Sequence, residues 1–108
     1  MVDDFRRVTP QLLTVLAALL DAPDQESHGW ALMRATGLGG PSIYRNLERC
    51  EDVGLVTSRW EASTEPGKPR RRLYKLTPNG AVRARTLIAD RWKRVSGATR
   101  LRPAGGVA

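Results

Sequence analysis

Hydrophobic residues recur at helical spacing in four segments of the chain and alternate with polar residues in two others. The most sharply bounded helical segment runs from about residue 41 to residue 53. Within it Ile43, Leu47 and Cys50 recur at i, i+4 and i+7, the spacing of one buried helix face. Pro41 follows a Gly-Gly turn at the start, and Gly54 stands where a left-handed residue commonly ends a helix.

The opposite face of this helix is polar and basic. Ser42, Arg45, Asn46 and Arg49 also follow i, i+3, i+4 and i+7. Hydroxyl, amide and guanidinium groups read base edges and contact DNA phosphates. A solvated outer face is the competing interpretation, because polar outer faces are common on the helices of soluble proteins.

Two further helices are predicted before this one. Thr9 and Pro10 are typical of a helix start, and the leucine-rich segment after them is apolar on more than one side, which predicts a central helix. Residues 24–27 are predicted to form a polar loop. Ser27 or His28 then caps a second short helix that ends at Gly37. Its apolar positions are expected to face mostly inward: Trp30, Leu32, Met33 and Ala35.

A hairpin is predicted immediately after the central helix. Only residues 37–40 separate the second and central helices, which is typical of a helix-turn-helix whose second helix enters the major groove. Val56, Ser58 and Trp60 alternate along a first strand, residues 62–69 favour a turn, and residues 70–77 form the returning strand. This order predicts a winged helix, whose wing contacts phosphates or the minor groove.

The predicted wing is strongly basic, with Lys68, Arg70, Arg71 and Arg72 at its tip and second arm. A charged edge strand that resists aggregation is the alternative interpretation. The three arginines have no acidic neighbour close in sequence. Their combined positive charge is more than a protected edge strand needs. We therefore expect them to contact phosphates.

The last helix is predicted to run from about residue 79 to residue 95, with Thr77 as its cap and Pro78 in its first turn. Its apolar edge is larger than a small core can bury, which suggests that part of it packs against a helix of a partner. Packing of Trp92 on its own domain is the alternative. The apolar stripe consists of Ala81, Ala84, Leu87, Ile88, Trp92 and Val95.

Composition limits the class of protein. The 108 residues are enough for one domain, and the formal net charge is +7. Residues 1–58 carry net −3, residues 59–75 net +4 and residues 76–108 net +6, so positive charge is concentrated where a polyanion would bind. There is no apolar run of membrane-spanning length and no secretion signal at the start, which predicts a cytoplasmic protein.

Catalysis is not expected. The chain has one histidine and one cysteine, with no nucleophile motif, phosphate loop or metal-ligand cluster, so we predict no cofactor and no metal. His28 is interpreted as a helix cap or packing residue. Cys50 lies on the apolar stripe and is interpreted as a core residue rather than a redox sensor.

Three segments resemble the PadR family of bacterial transcription regulators. His28-Gly29-Trp30-Ala31-Leu32 is similar to the opening of the family's second helix, and residues 41–56 are similar to its recognition helix. Residues 67–80 are similar to its wing, which carries Gly-Arg-Pro-Arg, a Tyr-containing strand and Leu-Thr. The likeness covers roughly residues 9–95. Departures are Arg45 where the family often has Pro, Pro41 where it often has Gly, and the extra residues 24–27.

The resemblance implies a homodimer that binds a palindromic operator and represses transcription, with Tyr44 contacting DNA. Carried over by position, Ser42, Tyr44, Arg45 and Arg49 enter the major groove, and Lys68, Arg70 and Arg71 act from the wing. Asn46 and Arg72 are added from the patterns above. The last helix would pack against the partner's first and last helices. The predicted dimer contacts are Leu12, Leu87, Ile88, Trp92 and Val95.

The sequence therefore predicts a mainly α fold with a small β-hairpin, a winged helix-turn-helix with a C-terminal dimerisation helix. Residues 1–8 form an arm, 9–77 the DNA-binding domain, 78–96 the dimerisation helix and 97–108 a disordered basic tail. The expected partner is double-stranded DNA in the nucleoid. An aromatic effector that stacks on Trp92 would relieve repression, and a regulator without an effector is the equally open alternative. A winged-helix module that docks proteins, without an operator, is the alternative.

Overall fold

Four helices and a three-stranded antiparallel sheet make up the fold. The computed structural model describes residues 7–62 and 66–100, with only the backbone for residues 97–100. The sheet order is β1-β3-β2. The elements are α1 (Pro10–Asp21), a 3-10 turn (Pro23–Gln25), β1 (Glu26–His28), α2 (Gly29–Thr36), α3 (Gly40–Asp52), β2 (Val56–Trp60), β3 (Arg72–Leu76) and α4 (Pro78–Arg100).

Three helices begin at side-chain caps. Thr9, His28 and Thr77 each accept a hydrogen bond from the backbone N–H three residues ahead, at 3.1, 3.3 and 2.8 Å. These contacts satisfy backbone donors that have no partner within the helix. Gly37 and Gly54 both have φ of 79°, the left-handed conformation expected at a helix end. The predicted caps at Thr9, His28 and Thr77 and the predicted ends of α2 and α3 are confirmed.

The core forms around α1, as predicted from its leucines. α1 contacts the other three helices and the sheet. The stripe Ile43, Leu47 and Cys50 of α3 is completely buried, together with Leu32 of α2. Burial raises the pKa of the Cys50 thiol to about 12, so the thiol is neutral, as expected of a core cysteine.

The sheet contains a strand that the sequence pattern does not predict. Residues 24–27 are expected to be a loop, but Glu26–His28 pairs with β3, with Ser27 opposite Tyr74. The two-stranded wing is therefore part of a three-stranded sheet. The sequence Glu-Ser-His has no apolar alternation, and its partner lies far along the chain, so no local signal marks it.

The N-terminus of α4 docks on the turn that follows α3. The Thr77 backbone N–H donates to the Leu55 carbonyl at 3.0 Å, and the Thr77 hydroxyl donates to the Gly54 carbonyl at 2.9 Å. A Cβ at Gly80 would overlap the Leu55 carbonyl, so this approach requires glycine. The contact fixes the end of β3 relative to the end of α3.

The end of α4 differs from the prediction. The expected end lies near Ser96 and Gly97, but the helix continues to Arg100. A single glycine costs a helix only about 1 kcal/mol, and no proline follows until residue 103. Residues 1–6 of the predicted arm and 101–108 of the predicted tail lie outside the described residues. None of the described helices is both long and apolar enough to cross a membrane.

Candidate nucleic-acid interface

The exposed face of α3 carries part of the predicted set. Arg45 is exposed, Tyr44 is 45% exposed, and Ser42 and Arg49 are half-buried. Because the opposite face of α3 is buried in the core, these side chains are directed away from it. The Arg49 guanidinium donates to the Arg7 carbonyl at 2.7 Å, which holds the segment before α1 beside α3.

Asn46 does not belong to this face. Its side chain is 4% exposed, and its amide donates to the Ser42 carbonyl at 2.8 Å within the same helix. Position 46 is three residues after Ile43 and four before Cys50, so it lies at the edge of the apolar stripe. Its placement on the DNA-reading face is wrong. The prediction relied on the polarity of the asparagine side chain and overlooked that position 46 borders the buried stripe.

Tyr44 joins three elements. Its ring lies 6.4 Å from the ring of Tyr74 in β3, at an interplanar angle of 59°. A Cβ at Gly29 would overlap the Tyr44 hydroxyl, so the tyrosine packs directly on the start of α2. Gly29 is thus a site residue that periodicity alone does not identify. This packing limits the positions that the Tyr44 ring can take.

The wing arginines have partners that the sequence does not reveal. Arg71 binds the Glu61 carboxylate through Nε at 3.0 Å and Nη2 at 2.7 Å. Glu61 is its cross-strand neighbour, since the Glu61 backbone N–H donates to the Arg71 carbonyl at 2.7 Å. Arg71 therefore has an acidic partner in the fold, although none is close to it in sequence. Lys68 and Arg70 are exposed.

Arg72 is directed toward the neighbouring strand β2. Its Nη2 donates to the Ser58 hydroxyl at 2.8 Å, and its guanidinium lies 5.0 Å from the centre of the Trp60 ring. Ser58 in turn donates to Glu51 of α3 at 2.7 Å. These contacts tie the base of the wing to the C-terminal half of α3.

Tyr44 of the recognition helix and the three wing arginines line one groove. The groove lies between α2, α3 and the wing, with a volume of about 420 Å³. Trp60 is 54% exposed beside it. Trp30 is predicted to face inward, but it is 58% exposed, with the Arg34 guanidinium 4.8 Å from its ring. The lining comprises His28, Gly29, Trp30, Tyr44, Trp60, Arg70, Arg71, Arg72 and Tyr74.

The predicted dimer residues divide into two sets. Leu12 and Leu87 are 0% and 8% exposed and belong to the chain's own core, against which Ile88 is packed. Their hydrophobicity, which led to the prediction, also suits a core position. Trp92 and Val95 are 69% and 48% exposed on α4. The expectation that Leu12 and Leu87 present a contact surface is therefore corrected.

His28 connects α2 with the wing. Its Nδ1 accepts from the Ala31 N–H, and its Nε2 lies 3.0 Å from Nη1 of Arg71. A neutral imidazole has one acceptor nitrogen, so it cannot accept from both. Burial and the Arg71 charge lower the pKa of His28, while Glu61 opposes that shift.

Within the described part of the chain, no three His, Cys, Asp or Glu residues are grouped to hold a metal ion.

This architecture is a winged helix-turn-helix, with α2 and α3 as the helix pair and β2–β3 as the wing. The model of the transcriptional regulator PadR-like family matches residues 15–86. The chain belongs to this family of transcriptional regulators.

Solved structures share the fold. A PadR family transcriptional regulator from Eggerthella lenta is 22% identical, with 87% of this chain and 82% of that chain covered and a TM-score of 0.70. A probable transcriptional regulator from Pseudomonas aeruginosa is 24% identical, with 91% of this chain and 70% of that chain covered and a TM-score of 0.67. Bordetella bronchiseptica BpsR is 23% identical, with 92% of this chain and 67% of that chain covered and a TM-score of 0.67. No curated protein matches the chain.

The cap at His28 predicts a pH-dependent stability. Because the folded-state pKa lies below the ordinary value of 6.5, the stabilisation is complete above that pH. It is lost as pH falls through the lowered pKa, since the imidazolium cannot accept from Ala31 and is repelled by Arg71. Urea unfolding from pH 7.5 to pH 5 should show this loss in the wild type. His28→Asn retains a capping side chain and should show a smaller loss over that range.

His28→Ala serves as the control. It should be less stable than the wild type by about 1 kcal/mol at pH 7.5, because it has no capping group. If the wild type and His28→Asn lose stability in parallel on acidification, the decline arises elsewhere.

Proposed function

We propose that the protein is a sequence-specific DNA-binding repressor that acts as a homodimer on a palindromic operator in the cytoplasmic nucleoid. The observation that supports it most is that Tyr44 of α3, next to the exposed Arg45, lines one groove together with Arg70, Arg71 and Arg72 of the basic wing. A helix that fits the major groove, flanked by cations that can reach the backbone, is what duplex recognition requires.

The proposed roles follow from exposure. Arg45 reads a base edge in the major groove, because a guanidinium can bind guanine through two hydrogen bonds. Ser42 and Tyr44 orient α3 against the DNA. Lys68, Arg70 and Arg71 bind phosphates, which adds affinity that is independent of sequence and falls with salt.

Two less exposed arginines have supporting roles in this proposal. Arg49 and Arg72 are half-buried, and both have contacts within the protein. They would add phosphate contacts from the rim of the groove. Their packing against the body of the protein would limit how far they reach toward bases.

Arg45→Ala and Arg71→Ala should affect DNA binding differently. Arg45→Ala should reduce the preference for operator over random duplex, by about 1–3 kcal/mol if one bidentate guanine contact is lost. Arg71→Ala should weaken binding to both duplexes alike and reduce the salt dependence. Fluorescence anisotropy, with an operator fragment selected from random sequences, measures both effects.

Arg91→Ala, at an exposed position of α4, is the matched control for loss of one positive charge. It should change the preference for operator over random duplex less than Arg45→Ala does, and the salt dependence of binding less than Arg71→Ala does. An equal loss on both duplexes for Arg45→Ala would contradict its assignment to base reading.

The homodimer is proposed from the exposed apolar residues of α4. Trp92 and Val95 lie on a helix of 23 residues, in its second half. A tryptophan that is 69% exposed is a typical anchor of a protein interface. Pairing of two chains there would place two recognition helices about one DNA turn apart, on the order of 34 Å.

Trp92→Ala should therefore shift the protein toward monomer. The change should raise the dimer dissociation constant at least about tenfold, because truncating an interface hot spot costs ~2 kcal/mol or more. Sedimentation velocity over a concentration series measures this shift. Lys93→Ala, at the neighbouring exposed position, should leave the dimer intact. An unchanged dimer in the Trp92→Ala variant would place the interface elsewhere.

An aromatic effector is a further part of the proposal. The structure of Bordetella bronchiseptica BpsR concerns the regulation of that protein's DNA binding by 6-hydroxynicotinic acid. In this chain, a planar ligand would stack on Trp92 at the proposed dimer interface and weaken operator binding. Titration with a panel of aromatic acids should change the tryptophan fluorescence of the wild type and not of Trp92→Phe. No change in either protein would argue for a regulator without an effector.

A protein-docking module is the second candidate function. The exposed tryptophans beside the groove favour it, since tryptophan and arginine are enriched at protein interfaces. This hypothesis predicts no binding to any duplex at low salt, where even nonspecific DNA binding would be detected.

A further inference from the structure

The Arg71 guanidinium is occupied by contacts within the protein. Its Nε and Nη2 bind the two oxygens of Glu61, at 3.0 and 2.7 Å, and Nη1 faces His28 Nε2 at 3.0 Å. All three guanidinium nitrogens therefore have a neighbour. The backbone contact between Glu61 and Arg71 fixes the two residues opposite each other, where the paired strands β2 and β3 meet the loop of the wing.

The Glu61 carboxylate binds the Arg71 guanidinium in the way that a phosphate would. Carboxylates and phosphates both accept two parallel hydrogen bonds from the guanidinium fork. In residues 59–62 and 66–75, the described part of this segment, Glu61 is the acidic residue among six basic ones. A carboxylate there also repels DNA, because it places negative charge beside the path expected for the backbone.

We propose that Glu61 competes with DNA phosphates for Arg71, and so sets the affinity of the wing for any duplex. The inference rests on the proposed DNA-binding function. On binding, a phosphate oxygen takes the place of the Glu61 oxygens on the Arg71 fork. Without DNA, the pair occupies this guanidinium and lowers the affinity for operator and random duplex alike.

The pair is suited to exchange. The Arg71 and Glu61 side chains are 53% and 34% exposed, so water and salt screen their attraction. A phosphate supported by Lys68 and Arg70 can therefore displace the carboxylate. For the same reason we expect a change in affinity of several-fold, not of several orders of magnitude.

Glu61→Gln tests the proposal on a random duplex of about 30 base pairs, so no operator needs to be known. The variant should bind about 2- to 5-fold more tightly, within the range of exposed charge pairs. The slope of log K against log salt should steepen by less than about 0.9, the value for one added phosphate contact, because Arg71 binds a phosphate in both complexes. Fluorescence anisotropy from about 50 to 200 mM salt measures both quantities.

Glu26→Gln is the matched control. It removes the same charge from the same sheet and breaks the similar pair between Arg59 and Glu26, at 2.9 and 3.0 Å. A smaller gain in affinity than for Glu61→Gln supports competition at Arg71. An equal gain would show that only net charge matters, and would overturn the proposal.

The double variant Glu61→Gln/Arg71→Ala completes the test. Loss of Arg71 should cost more affinity in the Glu61→Gln background than in the wild type, because the arginine is then available to DNA. An equal cost in both backgrounds, or weaker binding by Glu61→Gln alone, would overturn the proposal, since Glu61 would then position Arg71. If the wild type binds no duplex at about 50 mM salt, the proposed function itself fails.

Discussion

Burial of one stripe of α3 against α1 is the constraint on which the interface depends. Ile43, Leu47 and Cys50 are completely buried, and truncation of a fully buried leucine or isoleucine costs ~2–5 kcal/mol. A rotation of α3 about its axis would expose this stripe, so the helix has one stable orientation. At about 3.6 residues per turn, that orientation leaves Tyr44 and Arg45 outside. The core thus decides which side chains can meet a partner.

The central strand β3 brings the remaining parts of the site together. It pairs with β1 on one edge and with β2 on the other, so His28 and Glu61 approach Arg71 from different segments of the chain. Tyr74 of the same strand supports the Tyr44 ring. A change in strand pairing would therefore alter the wing, the cap of α2 and the support of α3 at once. The basic wing is part of the body of the protein rather than an independent arm.

Local signals allow much of the fold to be predicted. The caps at Thr9 and Thr77, the left-handed glycines at 37 and 54, and the apolar stripe of α3 depend on residues within one or two turns. The strand Glu26–His28 and the Glu61–Arg71 pair depend on partners elsewhere in the chain, which no periodicity reveals. Asn46 is mispredicted for another reason: a polar side chain at the edge of a buried stripe can satisfy itself on its own helix.

Counting charges along the chain overstates the cations that can meet DNA directly. Residues 59–75 carry net +4, yet Arg59 and Arg71 each hold a carboxylate in a two-point contact, and Arg72 is directed toward Ser58 and Trp60. Arg72, whose neighbours are neutral, still contributes its full charge to the long-range field that attracts a polyanion, whereas an arginine paired with a neighbouring carboxylate contributes little. Its hydrogen bonds become available only when a phosphate replaces that neighbour. Encounter with DNA and close contact with it therefore depend on different subsets of the same residues.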